Sequence, residues 1–365
     1  MKKALKKITP LTARGNRDLQ MTFEDQLNAL IYYHLEEHSS AQHLLQVLKE
    51  DDFARNHIAP KSGIEKSSFS EAINTRGLQQ LSEVFEALVE EAQNLLPKEY
   101  KDLGDLTLID GSLIDATLSM CWADYRDGAK KAKAHLGFDL NHSIPRKIFL
   151  TDGKADERPF VSQIISPGQT SVMDRYYQCH KNFDQWQQDG KHFVCRIRAN
   201  TKKKVIKANE IIPDSIVFYD AIVLLGTPGV NQTEKELRLV GYRVDNVNYW
   251  VATDRYDLTA EQIAMIYRLR WNIESFFAWW KRHLKVYHLI ARSRHGLMVQ
   301  ILGGLITYIL LAIYCHNEFG EKVSIKRVRE LRIKIQNETR EMEQMSKHRS
   351  KTHHSQFPSS LYAKT

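Results

Sequence analysis

Tyr267-Arg268-Leu269-Arg270-Trp271-Asn272-Ile273-Glu274-Ser275-Phe276-Phe277-Ala278-Trp279-Trp280-Lys281 is the stretch on which the reading of this chain turns. Thr259-Ala260-Glu261-Gln262, just ahead of it, supplies an N-cap and a capping-box partner, so the sequence predicts a helix from Thr259 to about Leu284. On that helix Tyr267, Arg270, Glu274 and Lys281 are separated by three, four and seven residues and share one narrow face, which places a carboxylate between two cations. The same spacing also describes a solvated face with an Arg270–Glu274 ion pair worth only a few tenths of a kcal/mol.

The surroundings bear on that choice. From Arg268 to Arg294 the cations Arg268, Arg270, Lys281, Arg282, Lys285, Arg292 and Arg294 surround the single acid Glu274, with Trp271, Trp279, Trp280, Tyr287 and His288 interleaved. Excess cation with aromatic platforms suits a phosphate backbone and its bases, and one acid kept among cations suits a metal ligand. Core packing is the competing role for the tryptophans. It is expected for at least one of Trp279 and Trp280, which project about 100° apart on a helix.

Upstream, Pro97 and Gly104 punctuate the chain, and short runs of strand character follow: Leu106–Ile109, Ala134–Leu140, Pro145–Leu150, Ser171–Met173 and His192–Ile197. A helix is expected over Tyr176–Gln188, which gives an α/β arrangement of strands covered by helices. Asp110 and Asp174 follow the first and fourth runs, where strand ends would gather acids that are distant in sequence, although an acid at a strand end is also an ordinary turn residue. Asp115 is the rival to Asp110, but Leu113–Thr117 shows no clear strand end. Three converging carboxylates would hold two divalent cations, and hard oxygen ligands favour Mg²⁺ or Mn²⁺. No phosphate loop of the nucleotide-hydrolase kind occurs.

From 202 to 253 strand-like runs continue without a helix, which reads as a β-rich insertion. Residues 20–97 read as an all-α unit: Leu27, Leu30, Ile31 and His34 share one face, and Leu78, Leu81, Phe85, Leu88 and Ala92 another. Between them, Lys61–Ser70 has the layout of a helix-turn-helix or of a plain helical hairpin. Val299–Cys315 is the most apolar stretch and is expected to be a buried helix rather than a membrane span. From Lys322 onward the chain is polar, ends in a Ser/His-rich stretch over Ser346–Ser360, and is expected to be mobile. A net charge of +8 over 365 residues favours a polyanionic partner, and four scattered cysteines without a C-x-x-C pair fit a reducing interior.

At these residues the chain resembles the DDE transposases of bacterial insertion sequences, the family marked by a Tyr-x2-Arg-x3-Glu-x6-Lys signature; Tyr267, Arg270, Glu274 and Lys281 keep every spacing. Ile109-Asp110-Gly111-Ser112 is similar to the family's first-aspartate motif, and Met173-Asp174-Arg175-Tyr176-Tyr177 to its second, with Tyr176 in place of the usual glycine. Lys133–Leu136 and Phe149–Asp156 also look like family strands and the loop after them.

The resemblance implies an RNase H-like catalytic core interrupted by the β-rich insertion, after an all-α N-terminal domain. The expected order is a helical DNA-binding unit over 1–97, the first part of the core over 98–201, the insertion over 202–253, the rest of the core with the glutamate helix over 254–320, and a basic polar tail over 321–365. It further implies that Asp110, Asp174 and Glu274 are the catalytic, metal-binding triad for two Mg²⁺ or Mn²⁺ ions. Tyr267, Arg270 and Lys281 would grip phosphates, with Arg268, Trp271 and Lys285 as further DNA contacts, and Trp271 or Trp279 stacking on a displaced base. The expected partners are double-stranded transposon ends and target DNA, with a homodimer in the synaptic complex, no membrane, and a cytoplasmic, nucleoid-associated location. The alternative is a non-catalytic DNA-binding relic or repressor of the same ancestry.

Overall fold

The computed structural model describes residues 5–6, 8–11, 19–60, 63–284 and 287–354. Lys285, and the Lys61 and Ser62 of the proposed helix-turn-helix, lie outside the described residues. The N-terminal unit is helical as expected: α1 (Phe23–Leu35), α2 (Ala41–Glu50), α3 (Lys66–Thr75) and α4 (Leu78–Leu95). Thr22 starts α1 with a full capping box, in which its side chain accepts from the Asp25 amide and the Asp25 carboxylate accepts from the Thr22 amide.

Among the described residues nine strands follow: β1 (Leu106–Asp115), β2 (Lys131–Asp139), β3 (Ile144–Asp152), β4 (Thr170–Met173), β5 (His192–Arg196), β6 (Lys203–Ala208), β7 (Val217–Leu225), β8 (Leu237–Val244) and β9 (Val247–Thr253). They form one mixed sheet in the order β3-β2-β1-β4-β5-β9-β8-β7-β6. β1, β4 and β5 run parallel, and every other neighbouring pair is antiparallel. The region 202–253 is as β-rich as its sequence indicates, but it continues the same sheet. Val194 pairs with Thr253 and Cys195 with Ala252, so β9 closes what would otherwise be the open edge of β5.

Helices lie on both faces. On one, α5 (Arg158–Ile164) and α6 (His180–Gln188) bury Val161, Ile164, Phe183 and Trp186 against Ile109, Met173 and Phe193. On the other, α1–α4 share a core with β1–β3 and with the helices that follow the sheet: α7 (Ala260–Leu269), α8 (Trp271–His283) and α9 (Arg294–Phe319). α9 contains the apolar stretch Val299–Cys315; among the described residues it is the one helix long and apolar enough to cross a membrane, and 78% of its most apolar window is buried. It packs on α1, α3 and α4.

Four local expectations are corrected. β1 does not end before Asp110; Leu113 and Ile114 carry the strand on to Asp115, in register with β2 from Thr107↔Asp139 to Asp115↔Lys131. Asp115 therefore closes the strand and Asp110 sits within it. Backbone groups make that ladder, so Gly111 and Ser112 carry it through without apolar side chains. The helix expected over Tyr176–Gln188 starts at His180, after a 3-10 turn over Arg175–Tyr177 capped by Asp174. The helix expected from Thr259 to Leu284 keeps its capping box but divides at Arg270, where the bonds Arg270 N to Tyr267 O and Ile273 N to Arg270 O span three residues and tighten the turn. Last, the polar tail, for which no helix is expected, is helical over α10 (Ile325–His354). Ile325, Val328, Leu331 and Ile335 recur at helical spacing among helix-forming Lys, Arg and Glu; Val328 is buried, and Arg332 bonds to the Leu35 carbonyl and to Glu37.

Candidate active site

The register of the parallel strands brings the two aspartates together. β1 and β4 pair up to Leu108↔Val172, and Asp110 and Asp174 each stand two residues beyond that pair. Asp110 keeps one oxygen on the Gly111 amide at 2.8 Å. Asp174 leaves β4 and caps the turn after it, accepting from the Tyr176 amide at 2.8 Å. Burial pushes the Asp110 carboxyl up to about 7; Asp174 and Glu157 add to the rise, while the Arg270 guanidinium and the Gly111 amide oppose it.

The third acid arrives from across the sheet. α8 lies over the second half of β1 and is fastened there by Lys281, whose Nζ donates to the Leu113 carbonyl at 2.8 Å. Burial lowers the Lys281 pKa, against the pull of nearby Asp115 and Asp110. Glu274 accepts from Arg270 Nη2 at 2.5 Å, and Arg270 Nη1 stands 3.7 Å from Asp110 Oδ2. The guanidinium thus bridges the acid of β1 and the acid of α8. Tyr267 is buried beneath it, with the guanidinium 5.9 Å from the ring centroid, and burial raises its phenol pKa. The Arg270–Glu274 ion pair that composition alone allowed is present, but it belongs to this larger arrangement.

The donor set fits Mg²⁺ or Mn²⁺ in chemistry. Its groups are hard carboxylate oxygens, and the place between Asp110 and Glu274 already holds a cationic group in the Arg270 guanidinium. Among the described residues, however, no three His, Cys, Asp or Glu side chains stand together as an ion's ligands. Asp110, Arg270 and Glu274 are joined, with Asp174 beside Asp110, but the triad is not drawn onto one point.

Of the other expected contacts, Arg268 and Trp271 are exposed, Trp271 at 65%. Trp279 is half-buried, packing edge-on to Tyr308 and tilted against His283. Trp280 is fully buried against Phe276 and Phe277, which is the core role expected for one of the adjacent pair. Asp115, the rival first acid, is exposed and paired with Lys131 at 2.6 Å.

Sequence reading missed three groups beside Asp110. Glu157 accepts from the Tyr177 hydroxyl at 2.7 Å and pairs with the buried Lys133 at 3.2 Å. Lys133 and Tyr177 fall in stretches whose resemblance is visible, but nothing in their spacing tells that they meet at Glu157.

With this geometry in place, comparison with known proteins gives a consistent result. Residues 102–310 match the model of the transposase DDE domain, and the chain belongs to that family. Three relatives are named as insertion-sequence or related transposases. One, for insertion sequence element IS5377 of Geobacillus stearothermophilus, is 27% identical over 52% of this chain and 51% of its own length. The transposase y4zB of Sinorhizobium fredii is 29% identical over 57% of this chain and 60% of its own. The transposase for insertion sequence element IS4SA of Synechocystis is 25% identical over 68% of this chain and 72% of its own. The match thus spans between half and three fifths of the first two relatives.

Proposed function

We propose that this chain is a transposase that binds the terminal inverted repeats of an insertion sequence and catalyses metal-dependent DNA strand cleavage and strand transfer. The observation that carries the reading is the bridge from Asp110 through Arg270 to Glu274, with Asp174 on the adjoining strand. The strand order β3-β2-β1-β4-β5, with β2 antiparallel to β1 and β4 and β5 parallel to it, supports an RNase H-like core, extended here by the β6–β9 insertion.

In this reading Asp110, Asp174 and Glu274 would hold two Mg²⁺ or Mn²⁺ ions. When bound, such ions activate an attacking hydroxyl and stabilise the leaving oxygen of a phosphodiester. The remaining work falls to this chain's own groups. Arg270 Nε is buried and, among the described residues, has no hydrogen-bond partner, so it becomes a donor for a phosphate oxygen once the guanidinium moves off the two acids. Lys281, anchored on β1, adds positive charge beside the acids, and Tyr267 supports the guanidinium from below. Exposed Arg268 and Trp271 extend this face as backbone and base contacts. Hydrolysis would free a 3′ hydroxyl at the element's end, and that hydroxyl would attack target DNA, so both steps are one phosphoryl transfer with different nucleophiles. Pairing two ends calls for a homodimer.

A non-catalytic DNA-binding protein of the same ancestry is the second reading, favoured by the carboxylates' not being drawn onto one point. The test is cleavage and strand transfer on labelled DNA carrying the element's flanking ends, in Mg²⁺ and in EDTA, with Asp110→Ala, Asp174→Ala and Glu274→Ala beside wild type. Nicked and joined products that need metal, and that each substitution reduces roughly a thousandfold or more, support the transposase. End binding with no chemistry in any lane establishes the non-catalytic reading.

A further inference from the structure

Glu157 stands at the start of α5, in the position of a helix cap, yet its side chain makes no capping bond. It turns inward instead, and its carboxyl is only 14% exposed. Three contacts hold it there. The Lys133 ammonium lies 3.2 Å from Oε1, and the Tyr177 hydroxyl donates to Oε2 at 2.7 Å. The third contact is with Gly111: a Cβ at that position would come within 2.4 Å of Oε2, so only glycine leaves the carboxylate its seat.

Each contact leads to a residue of the proposed metal site. Gly111 directly follows Asp110 and donates its amide to the Asp110 carboxylate. Tyr177 ends the turn that Asp174 caps, and its own amide donates to the Asp174 carbonyl at 3.2 Å. One carboxylate therefore braces the backbone beside both aspartates, on two strands that pair only up to Leu108↔Val172. Tyr177 is suited to this link because burial, with Glu157, Asp110 and Asp174 around it, holds its phenol well above the usual range and keeps it a donor. A buried ion pair contributes little net stability by itself, so the Lys133 pairing gives no sufficient reason for an acid at this place.

We propose that Glu157 is a positioning residue for Asp110 and Asp174, acting through Gly111 and the Tyr177 hydroxyl to set the separation of the two carboxylates for a divalent cation. The inference rests on the metal-site reading above. Groups that orient ligands in this way commonly govern metal affinity as strongly as they govern rate.

The experiment is calorimetric titration of the DNA-free full chain with Mn²⁺, for wild type, Asp110→Asn, Glu157→Gln, Tyr177→Phe and Asp220→Asn, with melting temperatures measured in parallel. Tyr177→Phe keeps every charge and removes one hydroxyl, so it tests the link even where Glu157→Gln fails to fold. Asp220→Asn breaks a buried pair with Arg238 in the insertion, and reports what a merely structural loss does to binding. Expected are Mn²⁺ affinities roughly tenfold or more weaker for Glu157→Gln and Tyr177→Phe, and an unchanged affinity for Asp220→Asn. Wild-type affinity in Tyr177→Phe, or in a folded Glu157→Gln, while Asp110→Asn binds weakly, overturns the role of Glu157 alone. If wild type takes up no Mn²⁺, or Asp110→Asn binds as wild type does, the metal-site reading itself fails.

Discussion

Replacing Arg270 by alanine should make the protein bind divalent metal more tightly, although it removes a residue of the site. The guanidinium side chain is 14% exposed and the two carboxylates it joins are 24% and 34% exposed, Asp110 at 3.7 Å and Glu274 at 2.5 Å. Exposed pairs contribute about 0–1 kcal/mol, and removing one partner of a buried pair costs about 3–5 kcal/mol. This half-buried bridge falls between them, at about 2 kcal/mol. Without metal, Arg270→Ala should therefore lower the melting temperature by about 4 °C, at roughly 2 °C per kcal/mol for a chain of this size. An ion entering between Asp110 and Glu274 must first displace the guanidinium, which weakens wild-type binding by the same ~2 kcal/mol, about thirtyfold. Titration of DNA-free protein with Mn²⁺ should show Arg270→Ala binding about thirtyfold more tightly, and saturating Mn²⁺ should restore its melting temperature. Equal or weaker Mn²⁺ affinity in a folded Arg270→Ala would refute the idea that the guanidinium occupies the cation's place. Cleavage by the variant should fall nonetheless, because its phosphate donor is gone.

Two further outcomes follow from other parts of the site and core. Lys281→Ala should weaken binding of end DNA uniformly across sequences and reduce the dependence of log affinity on log salt by about 1, read from binding isotherms at several salt concentrations. His34 is fully buried, with Nδ1 2.6 Å from the Leu284 carbonyl and Nε2 3.0 Å from the Gln300 carbonyl; burial lowers its pKa to about 4 against the pull of both. The unfolded chain then takes up the proton first, so stability holds above pH 6.5 and falls as pH drops from 6.5 towards 4. Urea unfolding should show about 2 kcal/mol lost between pH 7 and pH 5 on account of this residue, and a His34→Gln variant should lack that part of the loss.

Much of this architecture was legible because its causes are local. The first five strands are short apolar runs bounded by turn residues, and Thr259 and Gln262 announce the start of α7 by themselves. Tyr267, Arg270, Glu274 and Lys281 were visible because helical spacing alone puts them on one side. What escaped reading depends on tertiary partners. The continuation of β1 past Gly111 is decided by pairing with β2, not by the side chains of Gly111 and Ser112. The preference for Asp110 over Asp115 was therefore reached on a strand end that is not there, although Asp110 is the acid joined to Arg270. Glu157 gave no signal because a glutamate at a helix start usually faces water, and only Gly111, Lys133 and Tyr177 together turn it inward. In the tail from Lys322 onward, the apolar stripe Ile325, Val328, Leu331 and Ile335 is short and set among charges, and the Ser/His-rich end masks it, so its helix went unread.

The joining of β5 to β9 also bears on how the protein is made. Residues 197–246 lie between those strands, so while the chain is being synthesised β5 presents an unpaired, apolar edge until β9 has emerged. Such an edge is a template for pairing with another nascent chain. β7, β8 and β9 are consecutive antiparallel neighbours and can assemble among themselves from local contacts, then dock on β5 as a ready-made ribbon. At one end the completed sheet stops at β6, whose Lys203, Lys204 and Lys207 place positive charge along that edge and discourage a second copy from adding to it. Yield of soluble protein should therefore respond more to changes in β9 and β6 than to changes of similar size at the acids of the site.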